Sequence, residues 1–102
     1  MKTANVRDAT SWFDVLITSA STQAAVMRLT PDSASSESSN THQRSDQVLL
    51  VLQGVVDAEV GEEKARLGRW DVVVVPAGTQ HRFTCAGSEA ALTLNVYGPP
   101  AY

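Results

Sequence analysis

His42 and His81 are the only two histidines in a chain of 102 residues. Asn40 stands two positions before His42 and Gln47 five after it. Residues two apart on an extended chain point to the same side, so Asn40 and His42 would present an amide and an imidazole together. Imidazole suits Zn, Cu, Fe and Ni, whereas amide oxygens are harder and weaker ligands. His42 and His81 with one or two of the amides of Gln47 and Asn40 therefore make a donor set for a divalent transition metal, with coordination positions left for water or a substrate.

Other reactive side chains are sparse. Cys85 is the single cysteine. If His81 faces an interior, strand alternation turns Phe83 and Cys85 the same way, and a thiol whose pKa a metal lowers would bring a negative charge to the site. The plainer reading of Cys85 is a small buried hydrophobe. No serine sits in a G-x-S-x-G elbow and no two carboxylates are placed for acid–base work, which argues against triad hydrolysis and leaves the catalytic residues unassigned. Asp57, Glu59, Glu62 and Glu63 fall on an expected hairpin and should face water.

The elements that must position these groups are short and extended. Segments 12–19 and 24–30 are rich in β-branched and aromatic residues. After them come QVLLVLQG and VVDAEVG around Gly54, a GEEK turn into ARL, then DVVVVP, HRFTCAG and ALTLNVYG. Short strands at roughly 8–12-residue spacing, with no helical period, indicate an all-β sandwich or barrel. The serine-rich stretch 31–45, PDSASSESSNTHQRS, reads as a loop, and a long mid-domain loop needs a functional reason that His42 supplies. Val48–Leu52 and Val72–Val75 are apolar at consecutive positions, so both faces of these strands should be covered, one by the interior and one by a second subunit. A homodimer formed through these strands is expected.

Eight Lys and Arg against eleven Asp and Glu give a net charge of -3 without a basic run, which disfavours nucleic acid. No window approaches the ~18 apolar residues of a membrane span, and the polar MKTANVRDATSW start lacks a secretion signal's apolar core. The expected setting is cytoplasmic, where a lone cysteine stays reduced.

With its turns in place, the sequence resembles the cupin superfamily, in particular the small single-domain cupins of the conserved-barrel type. The first motif of that family, G-x5-H-x-H-x3,4-E-x6-G, is similar to NTHQRSDQVLLVLQG, which keeps His42, the gap to Gln47 and the gap to Gly54. The second, G-x5-P-x-G-x2-H-x3-N, is similar to WDVVVVPAGTQHRFTC, with Pro76, Gly78 and His81 in place and Asp71 five residues before the proline. The resemblance implies one antiparallel β-barrel or jelly roll, a double-stranded β-helix, over 1–102. Within it, N-terminal strands would occupy 12–30, a site-bearing loop 31–45, the motif region 40–85, a closing strand 90–97 and a tail 98–102.

The departures bear on function. Asn40 replaces the first motif histidine, Gln47 the glutamate, Trp70 the second-motif glycine and Cys85 the asparagine. A site of neutral donors compensates an ion's desolvation poorly, so the resemblance implies a weakly held Fe, Mn, Ni or Zn and no nucleotide cofactor. One expectation is a metal-dependent oxygenase- or isomerase-type cupin acting on a small oxygen-bearing metabolite. The alternatives are a non-catalytic binding or sensing module with a degenerate metal site, and a bare dimeric scaffold.

Overall fold

Short extended segments separated by glycine, proline and polar turns form eight strands in the computed structural model, which describes residues 1–36 and 41–102. They are β1 (Phe13–Thr18), β2 (Gln23–Leu29), β3 (Asp46–Gln53), β4 (Val56–Val60), β5 (Glu63–Leu67), β6 (Val72–Val75), β7 (His81–Cys85) and β8 (Ala91–Gly98). The only helical element among the described residues is a single 3-10 turn, Val6–Asp8, in which the Asn5 side chain accepts the Arg7 amide.

Two antiparallel sheets result, in the orders β1-β2-β8-β3-β6 and β5-β4-β7. This is the expected jelly roll, built among the described residues as a two-sheet sandwich. Between the β4–β5 hairpin and β6 a groove of about 650 Å³ opens, lined by Ala58, Val60, Val73 and Val74 and bordered by Glu62 and Lys64.

The first part of the serine-rich stretch is ordered as an edge. Ser35 N donates to Phe83 O at 2.8 Å and Cys85 N to Ser33 O at 2.9 Å, so residues 33–35 run beside β7 and extend the smaller sheet. Polar side chains do not prevent strand pairing, because the ladder uses only backbone groups.

Met27, Leu29, Leu49, Val51, Val56, Ala58, Val75, Phe83, Cys85 and Ala91 pack between the sheets. Cross-strand pairing arranges the interior face of the large sheet in rows: Gln23, Tyr97, Gln47 and Val75, then Ala25, Asn95, Leu49 and Val73, then Met27, Thr93 and Val51. The first row lies at one end of the sandwich and is largely polar. Phe83 is buried, while both tryptophans sit at the surface.

Two turns have conformational demands. Gly54 has φ +81°, and a Cβ there would lie 2.8 Å from the Ala90 carbonyl oxygen, so only glycine fits between β3 and β4. Trp70 has φ +74° in the Gly68–Asp71 turn, which Asp71 closes by accepting the Gly68 amide at 2.8 Å. Trp70 thus occupies a position where glycine would be unstrained.

Candidate functional site

The polar end of the interior is assembled by a turn and a loop that hold each other. β6 stops at Pro76, Thr79 N donates to Pro76 O at 3.1 Å, and Gly78 takes φ +80°. Left-handed backbone at that point reverses the chain and launches β7 with His81 facing inward. Asp46 fastens the turn by accepting the Ala77 amide at 2.8 Å, and Gly78 N donates to His42 O at 2.8 Å. The two histidines, 39 positions apart in the chain, come together with ring centres 5.1 Å apart.

His81 is 4% exposed, and its Nδ1 lies 3.0 Å from Thr79 O. A carbonyl only accepts, so Nδ1 carries the proton in that bond and Nε2 is the nitrogen left for a ligand. His42 is half-buried beside it. Desolvation, with the neighbouring His81 adding to it, holds the His42 pKa below its usual value and favours the neutral ring with a free lone pair.

Gln47 enters from β3 and is 2% exposed. Its Nε2 donates to Asn95 Oδ1 at 3.0 Å, while its Oε1 is buried with no hydrogen-bond partner among the described residues. An unmet buried acceptor costs about 1–3 kcal/mol, which a bound cation or donor would recover. His42, His81 and Gln47 border one hollow with Phe83, Tyr97 and Tyr102. Its free volume is about 30 Å³, room for one water molecule or one ion.

A divalent transition metal fits this donor set in kind. Two imidazoles sharing an ion at ~2.1 Å from each nitrogen have ring centres about 5 Å apart, close to the spacing found. The orphaned amide oxygen offers a third contact. Among the described residues no group of three His, Cys, Asp or Glu side chains converges anywhere, so the donors here are neutral.

Two sequence expectations meet different circumstances. Asn40 lies outside the described residues. Cys85 faces the interior as alternation requires, but its thiol points to Glu89 O at 3.2 Å and does not line the hollow. Alternation sets the face and not the depth: four residues at ~3.3 Å each carry Cys85 roughly 13 Å along β7 from His81. Phe83, halfway between them, does line the hollow, its ring 5.9 Å from that of His81.

The chain end contributes what the sequence pattern did not reveal. Residues 99–102 lie across the mouth: Ser45 Oγ donates to Pro99 O at 2.6 Å, and buried Gln23 accepts the amides of Ala101 at 3.1 Å and Tyr102 at 2.9 Å. Gln23 Nε2 in turn donates to Tyr102 O at 2.8 Å. The Tyr102 ring then sits 5.5 Å from His42, 5.3 Å from Tyr97 and 4.7 Å from Phe13. Burial, with the facing Tyr102, pushes the Tyr97 phenol well above its ordinary pKa, so it stays a neutral donor.

The profile of the family described as "Cupin domain" matches residues 25–97. Solved structures share the fold. The TT1209 protein of Thermus thermophilus is 26% identical with a TM-score of 0.83, covering 97% of this chain and 98% of that one. The BH2720 protein of Bacillus halodurans is 19% identical with a TM-score of 0.88, over 95% and 76%. A sugar phosphate isomerase from Silicibacter pomeroyi, of a cupin superfamily, is 22% identical with a TM-score of 0.69, over 78% and 52%. No curated protein matches the chain.

Proposed function

We propose a function from one premise, that this chain belongs to the cupin family. On our reading, His42, His81 and the Oε1 of Gln47 hold a divalent transition metal, and a small oxygen-bearing metabolite is bound against it. The observation that carries this is the buried, partnerless Oε1 of Gln47, a side chain that lines the same hollow as two neighbouring imidazoles. When bound, such an ion supplies Lewis-acid polarisation of a substrate oxygen.

The chain's own residues bind and orient. His81 is held by Thr79 O so that Nε2 is presented, and Gln47 presents an oxygen. Tyr97 hydrogen-bonds the Tyr102 side chain, and Phe83 and Tyr102 keep bulk water away. Desolvation favours the neutral His42 ring, which leaves it a lone pair to hold the ion or to accept a ligand proton.

A second reading, a binding or sensing module without turnover, is favoured by the neutral lining. Among the described residues no carboxylate borders the hollow. One experiment separates the readings: elemental analysis of protein purified without chelator or histidine tag, beside a His42→Ala/His81→Ala variant. Near-stoichiometric Fe, Mn, Ni or Zn that disappears in the variant is expected. No metal in either protein, even after adding those ions, would leave only the metal-free binding module.

We also propose that the chain is a homodimer. The outer face of the large sheet carries an apolar row across all five strands, Ile17, Ala24, Val96, Val48 and Val74, and in the next row Asp14 on β1 is followed by Val26, Leu94, Leu50 and Val72. Val6 and Ala9 of the N-terminal segment lie beside Val26 and Leu92. Towards β6 the face is bare, with Val72 59% and Val74 55% exposed, and a row without charges can meet its own copy without repulsion.

A further inference from the structure

The geometry points to Thr93 and Asn95 as positioning residues that turn the carbonyl oxygen of Gln47, and not its NH2 group, into the hollow, so that the deep end of the site accepts a cation or a hydrogen-bond donor and rejects an anion. This rests on the reading of the hollow as a ligand site and specifies which ligand chemistry it takes.

An amide side chain is nearly symmetric in shape, and nothing in Gln47 itself decides which end faces inward. The decision comes from a chain of hydrogen bonds running away from the site. Gln47 Nε2 donates to Asn95 Oδ1 at 3.0 Å, Asn95 Nδ2 donates to Thr93 Oγ1 at 3.0 Å, and Thr93 Oγ1 donates to Met27 O at 3.4 Å. The last acceptor is a backbone carbonyl, which has no proton to give.

Polarity therefore propagates one way. With its single proton on the Met27 carbonyl, the Thr93 hydroxyl turns a lone pair to Asn95. Asn95 must answer with its NH2, which leaves its oxygen for Gln47, and Gln47 must answer with its NH2 in turn. The oxygen that remains is the one without a partner. Thr93 and Asn95 are both 0% exposed, so no water competes for these bonds along the chain.

The same logic operates on the other wall. Thr79 O, again only an acceptor, takes the Nδ1 proton of His81. Two separate backbone carbonyls, Met27 and Thr79, thus orient two side chains so that each shows a lone pair to the hollow. Converging lone pairs repel a carboxylate or phosphate oxygen and attract a metal ion, an ammonium or an N–H or O–H group.

The orientation is read directly from nuclear Overhauser contacts of the Gln47 side-chain amide protons in the wild-type protein. Contacts to the Asn95 side chain without contacts to the His42 or His81 ring protons are expected, and contacts to those ring protons would overturn the assignment. The second arm titrates wild type, Thr93→Val and Thr93→Ser with Co(II) alone by calorimetry. About tenfold weaker binding in Thr93→Val with wild-type affinity restored in Thr93→Ser is expected. Equal affinity in all three would show that Thr93 orients nothing. Should the wild type bind no Co(II), the metal reading fails, and the amide contacts still decide the orientation by themselves.

Discussion

The amide of Gly78 donates to the carbonyl of His42 at 2.8 Å, which locks the turn that launches His81 to the loop that carries the other histidine. The bond requires the left-handed φ of +80° at Gly78, where an added Cβ would meet nothing within 4 Å. Gly78→Ala should then cost only conformational strain, about 1 kcal/mol, while tilting His81 relative to His42. Denaturant unfolding should show that modest loss, and Co(II) titration should show a disproportionate loss of affinity.

Gly54→Ala is the contrasting case. Its Cβ would lie 2.8 Å from Ala90 O and 2.9 Å from the Ala91 Cα, both backbone atoms that cannot swing aside. We expect more than about 2 kcal/mol of destabilisation from strain and overpacking together. A melting temperature equal to that of Gly78→Ala would contradict this account.

Stability should fall on mild acidification. Burial, with His81 close by, holds the His42 pKa below 6.5 in the folded chain. The unfolded chain therefore takes up this proton first as pH drops, and the stability that neutral His42 contributes is whole above about pH 6.5 and declines below it. Thermal melts of metal-free protein from about pH 8 down to 5 should show a decline that is shallower in His42→Gln.

Tyr102 should control access. With room for about one ion beneath it, the hollow cannot take a metabolite until this ring moves, and the ring is held by Gln23 through the backbone of residues 101–102. Tyr102→Ala should speed Co(II) entry in stopped-flow measurements. Gln23→Leu should do the same and destabilise the fold by about 1–3 kcal/mol, since it strands hydrogen-bonding groups. Unchanged entry rates in both variants would remove the closing role.

Val74→Lys and Val48→Lys place charges in the middle of the outer apolar row. Light scattering should give a dimeric mass for the wild type and a monomeric mass for either variant, with circular dichroism unaltered. A monomeric wild type would show that the bare face serves no second copy.

What the chain's residues determined by themselves is the local geometry. β-Branched runs and turn residues marked the strands to within a residue or two, most directly β3 and β6, because extended backbone and its interruptions are properties of neighbouring residues. Pro76, Gly78 and His81 were legible for the same reason: one short turn aims the ring. Asn40, also legible as a candidate, lies outside the described residues.

Tertiary structure decided the rest, because the deciding contacts join residues far apart in the chain. The orientation of the Gln47 amide depends on Asn95, 48 positions away, and finally on the Met27 carbonyl, and the placement of Tyr102 depends on Gln23, 79 positions away. Cys85 shows the limit most simply. Alternation identified its face, but depth along a strand acquires meaning only when another sheet packs against it, and that packing placed the thiol at the apolar end, out of reach of the histidines.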